Sequence, residues 1–217
     1  AGDHKVPSPA DAWRLTAWIP LHGIAEFYSP PRVLPSARMR GLVGCVSLDL
    51  LRGWDLMDSR VGALARQLLE TMAVQVLILS PPCTAFSQLQ ALWNYKRMSA
   101  TDVRDKWAEG MAHLTCAADC ALTQHLAGRV FLLEHPAAAT SWQTRELQDL
   151  GSRVGVYSVV FDQRMTGLVS PCSRTPMRKR TKLMSNLMHF IKAFRGKMFD
   201  RSHLHQLVQG SEGGIRL

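Results

Sequence analysis

Hydrophobic and polar positions follow two patterns along this chain. Five short runs are apolar nearly throughout: residues 23–28 (GIAEFY), 43–50 (VGCVSLDL), 74–80 (VQVLILS), 129–134 (RVFLLE) and 155–161 (GVYSVVF). Such runs, rich in Val, Leu, Ile and Phe, predict strands buried on both faces. Between them apolar residues recur at helical spacing. Asp58 is placed to cap a helix carrying Val61, Leu64, Leu68 and Met72, and Val103, Trp107, Met111, Leu114, Ala118 and Leu122 form a longer stripe closed by Gly128. Residues 29–38 (SPPRVLPSAR) open on prolines and turn into a short first helix. Residues 167–182 read as a loop and linker, and 183–195 (LMSNLMHFIKAFR) as a last helix.

Strand and helix thus alternate, with crossovers long enough to join parallel strands. The pattern predicts an α/β fold: a doubly wound, mostly parallel Rossmann-like sheet with helices on both faces and ligands beyond the carboxyl ends of its strands. Three segments are expected. Residues 1–22, which carry Trp13 and Trp18, form an N-terminal adaptor that packs on the sheet edge, residues 23–166 the Rossmann-like domain, and residues 167–217 a basic C-terminal segment. A chain of 217 residues can bury a core of that size.

Charge changes this picture by its position. The net +9 is almost all in the tail: residues 1–171 hold 16 basic and 15 acidic side chains, residues 172–217 hold 10 and 2. A compact cationic segment attracts polyanions by counterion release, so nucleic acid is the expected partner, DNA ahead of RNA. No apolar run approaches the length needed to span a bilayer, and no membrane partner is expected. The five cysteines, Cys45, Cys83, Cys116, Cys120 and Cys172, are odd in number and lack a disulfide framework, which points to reduced thiols in an intracellular protein, nuclear if the source is eukaryotic. His113, Cys116 and Cys120 share the side of the long helix away from its apolar stripe but lack a fourth ligand, so no metal is expected. The first residue is not Met, which points to processing or excision from a longer chain.

The chemistry concentrates in Ser80-Pro81-Pro82-Cys83-Thr84-Ala85-Phe86-Ser87, directly after a predicted strand. Paired prolines stiffen the loop and would hold a nucleophilic thiol in one orientation, and a helix starting behind it would lower the thiol pKa. The competing reading is a small buried turn residue. The next strand ends in Phe131-Leu132-Leu133-Glu134-His135-Pro136, which delivers a carboxylate to the same sheet edge.

With these two motifs the chain resembles the catalytic domain of DNA cytosine-5 methyltransferases, over residues 23–165. That family carries a Pro-Cys nucleophile loop and a strand ending in Glu-Asn-Val. Here Glu134 matches and the two residues after it do not. The resemblance implies a covalent mechanism on cytosine C5, with Cys83 adding at C6, Glu134 holding the pyrimidine edge, and S-adenosylmethionine as methyl donor. Arg164, in Asp162-Gln163-Arg164, is faintly similar to the family's arginine segment and would contact the base or its phosphate. Tyr28, Ser29, Asp49, Asp55 and Pro81 would line the cofactor. The family's glycine-rich first loop is replaced by Tyr28-Ser29-Pro30-Pro31, where prolines remove amide donors. The chain after 165 is too short for the family's target-recognition region, which implies that Arg174, Arg178, Lys179, Arg180 and Lys182, or a partner chain, supply DNA contacts. The alternative is a catalytically degenerate fold kept as a nucleic-acid-binding or assembly module. Trp93, Asn94 and Tyr95, followed by Lys96 and Arg97, carry the aromatic and cationic composition of single-strand-binding surfaces, or of a loop over the cleft.

Overall fold

The computed structural model describes residues 23–88, 90–170 and 172–198, with the backbone of three residue pairs beyond them. The adaptor expected at 1–22 and the side chains of Cys45 and Arg178 lie outside the described residues. Along the chain run β1 (Ile24–Phe27), α1 (Val33–Met39), β2 (Gly44–Leu48), α2 (Ser59–Thr71), β3 (Val76–Leu79), α3 (Ala100–Leu126), β4 (Val130–Pro136), α4 (Arg145–Gly151), β5 (Tyr157–Asp162), β6 (Met177–Arg178), β7 (Arg180–Ser185) and α5 (Met188–Phe194). The predicted caps hold: Asp58 accepts from Arg60 N at 2.8 Å at the start of α2, and Gly128 takes a left-handed φ of 69° after α3.

Six strands form one mixed sheet in the order β2-β1-β3-β4-β7-β5. The first four are mutually parallel and β7 is antiparallel to both its neighbours. The chain places β2 on one side of β1 and then crosses back to place β3 on the other. This reversal opens a crevice outside the carboxyl ends of β1 and β3. Ala25, Phe27, Leu77, Leu79, Phe131 and Leu133 face the main core with α2, α3 and α4, while Phe161, Leu183 and Ile191 form a smaller cluster with α5 on the other face.

Two expectations are corrected and one element is added. The boundary at 166 cuts through the sheet, because β7, read as linker and helix, is its fifth strand in spatial order. The basic alternation Arg180, Lys182 hides a strand whose Thr181, Leu183 and Ser185 are buried. The helix α4 was not legible, since only Leu147 and Leu150 of it are buried. On α3 the buried residues are Gly110, Leu114, Cys116, Ala117, Ala118, Cys120, Ala121 and Gln124, so both cysteines act as small residues packed against neighbouring elements. Small residues let this long helix approach the sheet and α2 closely, and bulky Trp107 is left 39% exposed at the flank. Among the described residues no helix is long and apolar enough to cross a membrane, and no cluster of metal-ligating side chains occurs.

Candidate active site

The segment after β3 is held as a rigid bracket. Pro81 is buried, Pro82 is exposed, and Cys83 stands half-buried before one 3-10 turn, Thr84–Phe86, in which Phe86 N donates to Cys83 O at 3.1 Å. Behind the turn, Phe86 packs edge-on to Trp107 at 5.1 Å and against the His135 ring at 5.9 Å. His135 Nδ1 lies 2.6 Å from Ser141 Oγ, while Nε2 has no partner of hydrogen-bonding geometry among the described residues. Burial pulls the pKa of His135 down to about 4 against the opposing carbonyls of Pro82 and Pro81, so the ring is neutral at neutral pH and serves as packing for the bracket.

Glu134 leaves β4 on the face opposite Phe131 and Leu133. Its Oε1 accepts from Gln163 Nε2 at 3.3 Å and lies 3.6 Å from Lys179 Nζ. Gln163 Nε2 also donates to the buried Thr181 Oγ1 at 3.0 Å, and Gln163 N donates to Lys179 O at 3.0 Å. These bonds knit the end of β5 to the start of β7 around the carboxylate. The direction of β7 makes this possible: an antiparallel strand begins where its parallel neighbours end, so register pairs Asp162 with Arg180 and His135 with Lys182.

The Cys83 and Glu134 side chains are close enough to interact electrostatically. Burial pushes the Cys83 thiol above its ordinary pKa, the Glu134 charge pushes it further, and Lys179 opposes both. The lowering by a helix expected at this loop does not occur. Only a single 3-10 turn follows the thiol, too short to sum a dipole.

The basic run splits by position. Arg174 is exposed in a turn with φ 57°, Arg180 pairs with the fully buried Asp162 at 3.5 Å, and Lys182 Nζ lies 4.5 Å from the centre of the Trp142 ring. Lys179, expected at a phosphate, is instead the cation beside Glu134. Arg164 is half-buried one residue past Gln163, in the 3-10 turn Gln163–Thr166.

At the β1–β3 crevice, Tyr28 adopts a φ of 65° and its Oη donates to His113 O at 2.9 Å. Burial, then Cys116, raises the Tyr28 pKa, which keeps its hydroxyl a donor. Asp55 is close enough to act electrostatically on Tyr28 and His113. A cavity of about 160 Å³ lies here between Pro82, Thr84 and Ala85 on one side and Lys106, Glu109, Gly110 and His113 on the other. His113 Nδ1 is buried without a hydrogen-bond partner among the described residues. Asp49 accepts from Leu51 N at 2.9 Å and Asp55 from Met57 N at 3.0 Å, each stabilising its own turn. Ser29 turns inward by its backbone, its carbonyl accepting from Ser47 Oγ at 2.7 Å.

Sequence reasoning passed over Glu26. Its buried carboxylate accepts from Arg32 N at 2.7 Å, Val33 N at 2.9 Å and Leu34 N at 3.4 Å, and so occupies the amino end of α1. The legible signal was a lone charge inside the strand IAEF, which needs a buried partner. No family model matches the chain, and no curated protein sequence matches it significantly.

Proposed function

We propose that the chain is a Rossmann-like, S-adenosylmethionine-dependent methyltransferase domain that acts on cytosine C5 in DNA. One observation carries the reading: a thiol on a proline-stiffened loop lies within electrostatic reach of a carboxylate on the adjacent strand, and that carboxylate stands 3.6 Å from the Lys179 ammonium. The reversal of strand order between β1 and β3 supports a cofactor crevice beside them.

In this reading Cys83 adds through sulfur to C6 of a cytosine turned out of the helix, which makes C5 nucleophilic. Glu134 hydrogen-bonds the N3 and exocyclic amine edge and is held in place by Gln163 and Thr181. Lys179 supplies a cation beside Glu134 that offsets negative charge as the addition proceeds. The orphaned His113 Nδ1 and the charged pair Lys106 and Glu109 suit the polar methionine end of S-adenosylmethionine, with Tyr28, Asp55 and Pro81 alongside. When bound, that molecule supplies an electrophilic methyl group.

A second reading, a degenerate fold kept as a nucleic-acid-binding or assembly module, is favoured by one feature. Glu26 already satisfies the amides of α1, and Pro30 and Pro31 stand where a glycine loop would approach a cofactor. Incubation with labelled S-adenosylmethionine and 5-fluorocytosine DNA separates the two. Label transfer and a covalent adduct, both lost in Cys83→Ala, are expected; salt-dependent DNA binding with neither product supports the module and excludes the enzyme.

A further inference from the structure

Next to the thiol bracket the chain turns two large apolar side chains outward. Trp93 is 61% and Leu92 56% exposed, and with Lys96 and Arg97 they line a groove of about 370 Å³. The segment that carries this indole is tied to the bracket. Tyr95 Oη donates to Ala85 O at 2.7 Å, Asn94 Nδ2 to Gln90 Oε1 at 2.7 Å, and Gln90 N to Ser87 Oγ at 3.1 Å. The residues Ala85 and Gln90 that anchor this segment also line the crevice with Pro82 and Thr84.

We infer that Trp93, flanked by Lys96 and Arg97, is a stacking platform for an unpaired nucleotide of a nucleic-acid strand running past the Cys83 cleft. Charge selects the occupant: from Gln88 to Met98 the chain carries two cations and no carboxylate, which suits a phosphate backbone and disfavours an acidic protein surface. Every base offers a π-face, so an aromatic platform with adjacent cations binds a strand without reading its sequence. The inference extends the proposed function, which requires a strand with a displaced base beside Cys83, but it concerns binding and not transfer.

The test is binding of a single-stranded oligothymidylate to the full chain, followed by tryptophan fluorescence and titrated at several salt concentrations. Trp93→Ala weakens binding about tenfold or more, and Trp93→Phe retains most of the affinity because a ring remains. The double variant Lys96→Gln/Arg97→Gln lowers the slope of log affinity against log salt by about 1.4. Since the indole is exposed, Trp93→Ala leaves the melting temperature unchanged. No binding by the wild-type chain, or equal affinity in Trp93→Ala, overturns the inference. Cys83→Ser separates it from the proposed function. Trp93-dependent binding without any adduct in the wild type leaves the platform standing and removes the enzyme, whereas adduct formation with Trp93→Ala at full affinity does the reverse.

Discussion

A half-buried thiol within electrostatic reach of a carboxylate begins from an unfavourable proton balance. Burial and Glu134 both favour the neutral form of Cys83, and Lys179 only partly offsets them. The thiolate is the reactive species, so alkylation of Cys83 climbs as pH rises through and beyond the ordinary thiol range. Glu134→Gln removes the negative neighbour, lowers the thiol pKa and speeds iodoacetamide labelling near neutral pH by about three- to tenfold. Lys179→Met acts in the opposite sense. Mass-spectrometric labelling rates across pH check both; a Glu134→Gln profile identical to wild type shows that the two groups do not sense each other. The candidate pair itself was legible, because a Pro-Pro-Cys loop and a strand-end glutamate announce themselves locally. The importance of Lys179 was not, since within its basic run nothing separates a lysine facing Glu134 from one facing solvent.

At the level of elements, the rigidity of the bracket depends on how close α3 comes to it. A Cβ added at Gly110 would stand 2.6 Å from Ala85 Cβ and 3.3 Å from the Phe86 ring. Gly110→Ala therefore displaces the turn behind Cys83. Overpacking costs about 1–3 kcal/mol and the helix propensity of Ala returns about 1, a net loss of up to about 2 kcal/mol, so the variant melts up to about 8 °C lower and Cys83 labelling changes with it. A variant that melts higher than wild type would show that α3 and the bracket separate easily. Helix periodicity in the sequence marked α3 and part of its packing face, since Leu114 and Ala118 of the stripe are buried and Met111 and Leu122 pack against the core. The rest of that face was not read, because the close approach to the sheet and α2 is made by glycine, alanine and cysteine. Gly62 shows the same tightness, with Cys116 Sγ 3.1 Å from where its Cβ would stand.

Across the whole molecule, β7 makes the sheet and the site interdependent. It fills the gap between β4 and β5, so a chain ended at residue 166 leaves facing edges of both strands unpaired. Such a truncation loses cooperative thermal unfolding in circular dichroism; a cooperative transition equal to that of the full chain would show that residues 23–166 are a domain on their own. The same strand explains where part of the tail's charge goes. Lys179, Arg180 and Lys182 are drawn to the carboxyl edge of the sheet, beside Glu134, Asp162 and Trp142, rather than spread along a linker.

Strands β1 to β5, helices α1 to α3, the capping residues and the two chemical motifs were determined by the sequence alone, because each depends on contacts within a few residues of chain. The direction of the inserted strand, the company of Cys83 and the occupation of the α1 amides by Glu26 were decided only by tertiary structure. These depend on which distant segments become neighbours in the sheet. A residue pattern carries the polarity of a segment but not the strand it will lie against.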